Sequence, residues 1–153
     1  MLLTGTFTRS VDEKLRIAIP KRLREEMQGT ENRDLFIAPG TDGTLAIYTE
    51  EALAALAARL AAASPTQQDV RAFSRLFYAQ AERVEVDAQG RMRVPPSLAQ
   101  MVSLGKEAVL LGVQDHVELW DKQRWDAYLA QRLPHYDEIA ERALSNPKPP
   151  SSA

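Results

Sequence analysis

Along residues 15–19, Leu15, Ile17 and Ile19 alternate with Arg16 and Ala18. Apolar side chains at every second position turn one strand face to a core and leave the other exposed. Arg16 therefore stands on the face opposite the apolar three. Thr4 to Val11 reads as the preceding strand, with Asp12-Glu13-Lys14 as the tight turn between the two. Pro20 ends the pairing because it has no N–H to donate. Lys21 to Met27 then form a short helix with the proline in its first turn. Leu35 to Ala38 and Thr44 to Tyr48 make a hairpin through Thr41-Asp42-Gly43. Beyond it the period becomes helical. Thr49 caps a helix that has Glu50 and Glu51 in its first turn and Leu53, Leu56, Ala57 and Leu60 as its apolar stripe. Ser64-Pro65-Thr66-Gln67 opens another helix, with Ser64 as N-cap, Pro65 at the first position and Gln67 as the capping-box partner. Val70, Phe73, Leu76, Phe77 and Gln80 follow at helical spacing, so the two helices form a hairpin.

The pattern then starts again. Val11-Asp12-Glu13-Lys14-Leu15-Arg16-Ile17-Ala18-Ile19-Pro20 aligns without a gap on Val86-Asp87-Ala88-Gln89-Gly90-Arg91-Met92-Arg93-Val94-Pro95, 75 residues later. Leu45 to Leu53 aligns on Val117 to Trp125 at an offset of 72. Arg83 and Glu85 alternate with Val84 and Val86, and Arg91 and Arg93 with Met92 and Val94. A Pro-initiated helix (Pro96 to Val102), a strand pair (Ala108 to Val113, Val117 to Trp120) and a helix from about Lys122 to Arg132 complete the copy. Pro134 breaks that helix, and Asp137 to Leu144 form another. Residues 146–153 have almost nothing to bury and are expected to be disordered. A period this long exceeds a solenoid repeat and indicates one small unit duplicated and packed as a pseudo-symmetric pair. The partition is 1–62 for the first unit, 63–81 for the connecting helix, 82–133 for the second unit and 134–153 for the C-terminal helix and tail.

Composition narrows the function. The 153 residues are 44% hydrophobic and 26% charged, as in a globular protein with a real core. Without cysteine there is no disulfide framework and no thiolate metal site. A cytoplasmic protein is expected, with no signal peptide and no membrane span. The net charge of −2 argues weakly against a nucleic-acid partner, but the charge is segregated. Residues 1–24 carry a local +4 and residues 71–106 a local +3, whereas residues 107–142 carry −4. Positive charge thus follows the two motifs.

The doubled Asp-led turn with its arginine and following proline closely resembles the MraZ family of bacterial transcriptional regulators, of the AbrB-like, swapped-hairpin group. So do the start Met1 to Gly5 and the segment Glu118-Leu119-Trp120-Asp121. The similarity spans roughly residues 1 to 133. It implies an α+β fold of two tandem AbrB-like β-hairpin barrel units related by pseudo-twofold symmetry, with a helical hairpin inserted and helices at the C-terminus. It also implies a ring-like homo-oligomer. Such a ring binds direct repeats in double-stranded DNA at the promoter of its own division and cell-wall gene cluster, as a nucleoid-associated repressor. Carried over by position, the DNA-binding residues are Lys14, Arg16 and Arg91. Arg93, just outside the motif, adds a charge on the same face. Asp12, Asp87 and Gly90 shape the turns. Two positions depart from the family pattern: Leu15 replaces a glycine, and Gln89 replaces a lysine. If the glycine position has a positive φ, Leu15 is strained by roughly 1–2 kcal/mol.

Other chemistries find little support. The four basic residues could be solvated strand positions paired with Asp12, Asp87 and Glu85. Asp12 and Asp87 read as turn-formers whose carboxylates bond backbone N–H groups, not as catalysts. His116, expected in a hairpin turn, and His135 have no metal-ligand spacing or nucleophile beside them. No glycine-rich phosphate loop occurs. Trp120, Trp125 and Tyr128 read as packing residues. The reading is a sequence-specific DNA-binding regulator without catalytic activity, cofactor or metal. The rival is an oligomeric scaffold or protein-binding adaptor that keeps the fold, favoured by the acidic pI and by Leu15 and Gln89.

Overall fold

Each repeat builds the same series of elements, seen in a computed structural model that describes residues 1–145. The first repeat holds β1 (Thr6–Ser10), β2 (Arg16–Ala18), α1 (Lys21–Gln28), β3 (Leu35–Pro39), β4 (Leu45–Thr49), α2 (Glu50–Ala62) and α3 (Gln68–Gln80). The second holds β5 (Glu82–Val84), β6 (Arg91–Arg93), α4 (Pro96–Met101), β7 (Glu107–Val113), β8 (His116–Asp121), α5 (Lys122–Arg132) and α6 (Tyr136–Ser145). A 3-10 turn, Leu133–His135, joins the last two helices. The expectation for residues 146–153 lies outside the described residues. The fold is α+β, with antiparallel sheets and several helices.

Strand pairing interleaves the repeats. One six-stranded sheet runs in the order β1-β7-β8-β4-β3-β5. Exchanging each strand for its counterpart (β1 for β5, β7 for β3, β8 for β4) reverses this order onto itself. The first strand of each repeat thus pairs with the hairpin of the other: Phe7 faces Leu110, and Leu35 faces Val84. The two hairpins meet at the centre, with Ile47 opposite Val117 and Leu45 opposite Leu119. A separate two-stranded ribbon joins β2 to β6, so the repeated motifs pair with each other.

Residues Met1–Lys122 form one compact unit, and the described residues from Gln123 onward form a second. The core of the first lies between the ribbon and the sheet. Ile17, Leu35, Ile37, Leu45, Met92, Leu98, Leu110 and Leu119 are fully buried there. Burial of each such side chain contributes about 1.5–3 kcal/mol. In the second unit Trp125 stacks on Tyr128 at 5.9 Å, and the Arg132 guanidinium lies 5.6 Å from the Tyr128 ring. Trp120 is a core residue at 5% exposure, but Trp125 and Tyr128 are only half-buried, because no residue of α5 or α6 is enclosed.

Local signals succeed or fail for visible reasons. The Thr49 hydroxyl accepts the Ala52 N–H at 3.0 Å, as a cap should. Pro20 occupies the N-cap of α1 rather than its first turn, whereas α4 has Pro95 at its N-cap and Pro96 at its first helical position, the Pro-initiated start the sequence predicts. The helix expected from Ser64 begins instead at Gln68. The Ser64 hydroxyl is engaged with the Thr66 hydroxyl at 2.7 Å, and the Gln67 N–H bonds the Ser64 carbonyl at 3.2 Å. A separate turn therefore precedes α3. His116 is the first residue of β8, because Gln114 (φ 63°) and Asp115 form the turn before it.

Candidate nucleic-acid interface

The β2–β6 ribbon brings the two motifs side by side. Ile17 lies opposite Met92, and both side chains point into the core with no exposure. Arg16 lies opposite Arg93, and Ala18 opposite Arg91. Facing residues of an antiparallel pair point to the same side. Arg16, Ala18, Arg91 and Arg93 therefore share the outer face, as the alternation in the sequence predicts.

Each ribbon strand is entered through an identical turn. The Asp12 carboxylate accepts the backbone N–H groups of Lys14 and Arg16 at 2.9 and 2.8 Å. The Asp87 carboxylate accepts those of Gln89 and Arg91, both at 2.9 Å. Its second oxygen receives the arginine Nε, at 2.6 Å from Arg16 and 3.0 Å from Arg91. Both carboxyls are held below the ordinary value. The arginine backbone N–H is the largest cause, the guanidinium adds to it, and partial desolvation opposes both. The aspartates thus build the turns and aim the arginines. Because only Nε is consumed, each guanidinium keeps its terminal nitrogens for another acceptor.

The turns also lock onto each other. The Ile19 N–H bonds the Gly90 carbonyl at 2.9 Å, and the Val94 N–H bonds the Leu15 carbonyl at 2.8 Å. Gly90 has φ 81° and Leu15 has φ 61°, so Leu15 does adopt the left-handed conformation that the glycine pattern requires. A Cβ on Gly90 would sit 3.0 Å from Cζ of Arg24, which packs beneath the second turn. The position equivalent to Arg24 in the other repeat is Ala99.

Lys14 and Arg93 are exposed, and neither is in an ion pair among the described residues. Arg16 and Arg91 keep about a third of their side-chain surface, at 33% and 31%. Of the carboxylates weighed as partners, Asp12 and Asp87 each hold one arginine, while Glu85 holds none.

Sequence reasoning did not find a second polar cluster, on β8. His116 Nδ1 lies 2.7 Å from the Asp115 carboxylate, its Nε2 lies 3.9 Å from Glu118, and its ring lies 5.5 Å from that of Tyr48. Glu118 and Asp115 together raise the affinity of His116 for its proton; the Asp115 contact is the one at hydrogen-bond distance. The Trp120 indole N–H donates to Glu118 at 3.1 Å. The signal in the sequence was the acidic pair flanking His116, Asp115 and Glu118, but only strand register shows that Tyr48 faces His116.

Comparison with known proteins gives this geometry a family. The sequence model described as "MraZ protein, putative antitoxin-like" matches twice, over residues 2–76 and 77–146. A protein of Heliobacterium modesticaldum named transcriptional regulator MraZ is 36% identical over 144 residues, covering 94% of this chain and 97% of its own length. Proteins of the same name from Nocardia farcinica and Acetivibrio thermocellus are 34% and 37% identical. The alignments cover 94% and 90% of this chain, and 97% and 94% of those proteins. That name describes a regulator and not an enzyme. The two matched repeats coincide with the two interleaved halves of the fold, and the chain belongs to the MraZ family.

Proposed function

We propose that this protein is a sequence-specific DNA-binding regulator of transcription. It acts as a repressor at the promoter of its own division and cell-wall gene cluster. The relatives' name supports the regulatory role. The observation that carries the DNA reading is the ribbon face, where Arg16, Arg91 and Arg93 stand on one rigid two-stranded element with Lys14 beside them. A two-stranded ribbon fits the major groove, where a bidentate arginine reads guanine and phosphates take the remaining cations. Arg16 and Arg93 are like charges directly opposite each other, which destabilises a bare strand pair. An anionic partner relieves that repulsion.

The interleaved pairing of the repeats supports an AbrB-like, swapped-hairpin arrangement of units 1–62 and 82–133, joined through 63–81 and followed by 134–153. Assembly as a ring-like homo-oligomer would place several ribbons on successive direct repeats, so that weak single contacts gain by multivalency. No helix among the described residues is long and apolar enough to cross a membrane. The expected location is the cytoplasm, at the nucleoid. The scaffold reading draws on the exposed apolar side chains of α3, Phe73, Leu76 and Tyr78. The test is a gel shift with the DNA upstream of the reading frame, repeated over a salt series, with Arg16→Ala/Arg91→Ala as the control. Wild-type binding that weakens steeply with salt and is lost in the variant supports the DNA reading. Binding insensitive to both leaves the scaffold.

A further inference from the structure

The ribbon is pseudo-symmetric in backbone but not in charge. Under the exchange of repeats Arg16 replaces Arg91, yet Arg93 replaces Ala18 and Lys14 replaces Gln89. The register places these differences in space. One end of the ribbon carries the facing pair Arg16 and Arg93, together with the turn that holds Lys14. The Leu15 carbonyl is bonded to the Val94 N–H at that end, so Lys14, Arg16 and Arg93 gather there. The other end carries Arg91 opposite Ala18, with the uncharged Gln89 in its turn. Arg24 also lies at that end, but it packs beneath Gly90 with its Nε buried and is not on the ribbon's outer face.

The sugar–phosphate backbone of a duplex looks alike in both directions along a groove. A twofold-symmetric ribbon would therefore dock either way round with equal phosphate contacts. On a site whose two sides differ in base sequence the two ways are not equal here, because the end with Arg16 and Arg93 offers two guanidinium groups to base edges where the other offers one. We infer that Arg93, unmatched at Ala18, fixes the direction in which the chain lies on DNA by directing the Arg16–Arg93 end to the guanine-rich side of a non-palindromic site. This rests on the DNA reading proposed above. The chemistry is that of arginine on guanine O6 and N7, with Gln89 at the far end suited to adenine N6 and N7. Direction is then set by charge on the ribbon and not by the fold, which is the same both ways.

The chain has no cysteine, so one thiol can be added without ambiguity. Ala88 is exposed in the second turn, outside the cation set, and Ala88→Cys carries an iron-EDTA cleavage reagent. The probe is the end-labelled duplex from upstream of the reading frame. Strand cuts are expected on one side of each bound repeat. In Ala18→Arg/Arg93→Ala, which moves the arginine to its symmetry-related position at unchanged net charge, the cuts should shift to the other side with the salt dependence unaltered. Arg93→Ala alone should reduce the ratio of cuts on the two sides by about tenfold or more, while thermal melting stays unchanged. Substituting 7-deazaguanine, which lacks N7, should equalise the two sides in the wild type. Equal cutting on both sides by the wild type, or an unchanged side in the exchanged variant, overturns the inference while DNA binding stands. Absence of any salt-dependent shift or cutting overturns the DNA reading itself, and this inference with it.

Discussion

Leu15 and Gly90 occupy equivalent places with the same handedness of backbone, at φ 61° and 81°, and they reach it differently. Glycine adopts this conformation freely, whereas leucine pays roughly 1–2 kcal/mol. Gly90 leaves room for Arg24, while Leu15 is half-buried against the core and the residue equivalent to Arg24 in the other repeat is the small Ala99. Leu15→Gly should therefore change stability little, within about 1 kcal/mol, as relief of strain offsets lost burial and greater chain entropy. Gly90→Ala meets both a positive φ and the Arg24 guanidinium, and should cost about 1–2 kcal/mol. Adding Arg24→Ala should return the steric part and leave the backbone part, readable from urea midpoints of the three variants. The glycine pattern of the motif made the strain legible in the sequence; the packing of Arg24 was not, because it depends on contact between α1 and a turn 66 residues away. His116 gives a pH dependence. Its folded pKa is raised above 6.5 by Glu118 and Asp115, so its contribution is full below that value and is lost as pH rises through the folded pKa. The melting-temperature advantage of wild type over His116→Asn should shrink between about pH 6 and about pH 8.

At the scale of elements, the alternation of Arg16 and Arg93 with Ile17 and Met92 was readable because one strand face must be buried. Hairpin β3–β4 was readable from Asp42-Gly43, both of which carry positive φ (59° and 75°). What one-dimensional pattern could not supply was the partner of each strand. β1 pairs with β7, about a hundred residues away, and β5 pairs with β3, so the first strand of each repeat completes the hairpin of the other. Helix starts divide the same way. Thr49 and Ser64 both carry hydroxyls ahead of an apolar run, but only Thr49 bonds an orphan N–H of a helix. Thr49→Ala should destabilise the protein by about 1 kcal/mol or somewhat more, since the site is buried. Ser64→Ala should stay within about 0.5 kcal/mol. Chemical denaturation of the two variants separates a working cap from an apparent one, and a large loss at Ser64 would contradict the placement of α3.

The whole molecule carries a net charge of −2, yet its proposed ligand is a polyanion. Segregation of charge resolves this only in part. One chain presents Lys14, Arg16, Arg91 and Arg93 on its ribbon and turns, and two of these are already tied to aspartates at 2.6 and 3.0 Å. Each phosphate neutralised contributes about −0.9 to the slope of log K against log salt. Four cations on a single chain therefore limit the slope to about −3.6. Binding that weak and that shallow would not hold a promoter on its own, which is why the proposed ring matters to the proposed function. A ring with two or more ribbons on the same duplex doubles the slope to about −7 or steeper, without any new contact per chain. The measured slope thus reports assembly as well as DNA contact. For the wild type it should exceed the single-chain limit, and light scattering should give a mass larger than twice 17.1 kDa. Lys14→Ala, which removes a cation given no base to read, should lower the slope by about one for each chain engaged, so the size of the drop counts the ribbons on the DNA. A slope at or below the single-chain limit, with scattering at 17.1 kDa, would show one chain acting alone and would remove the ring from the mechanism.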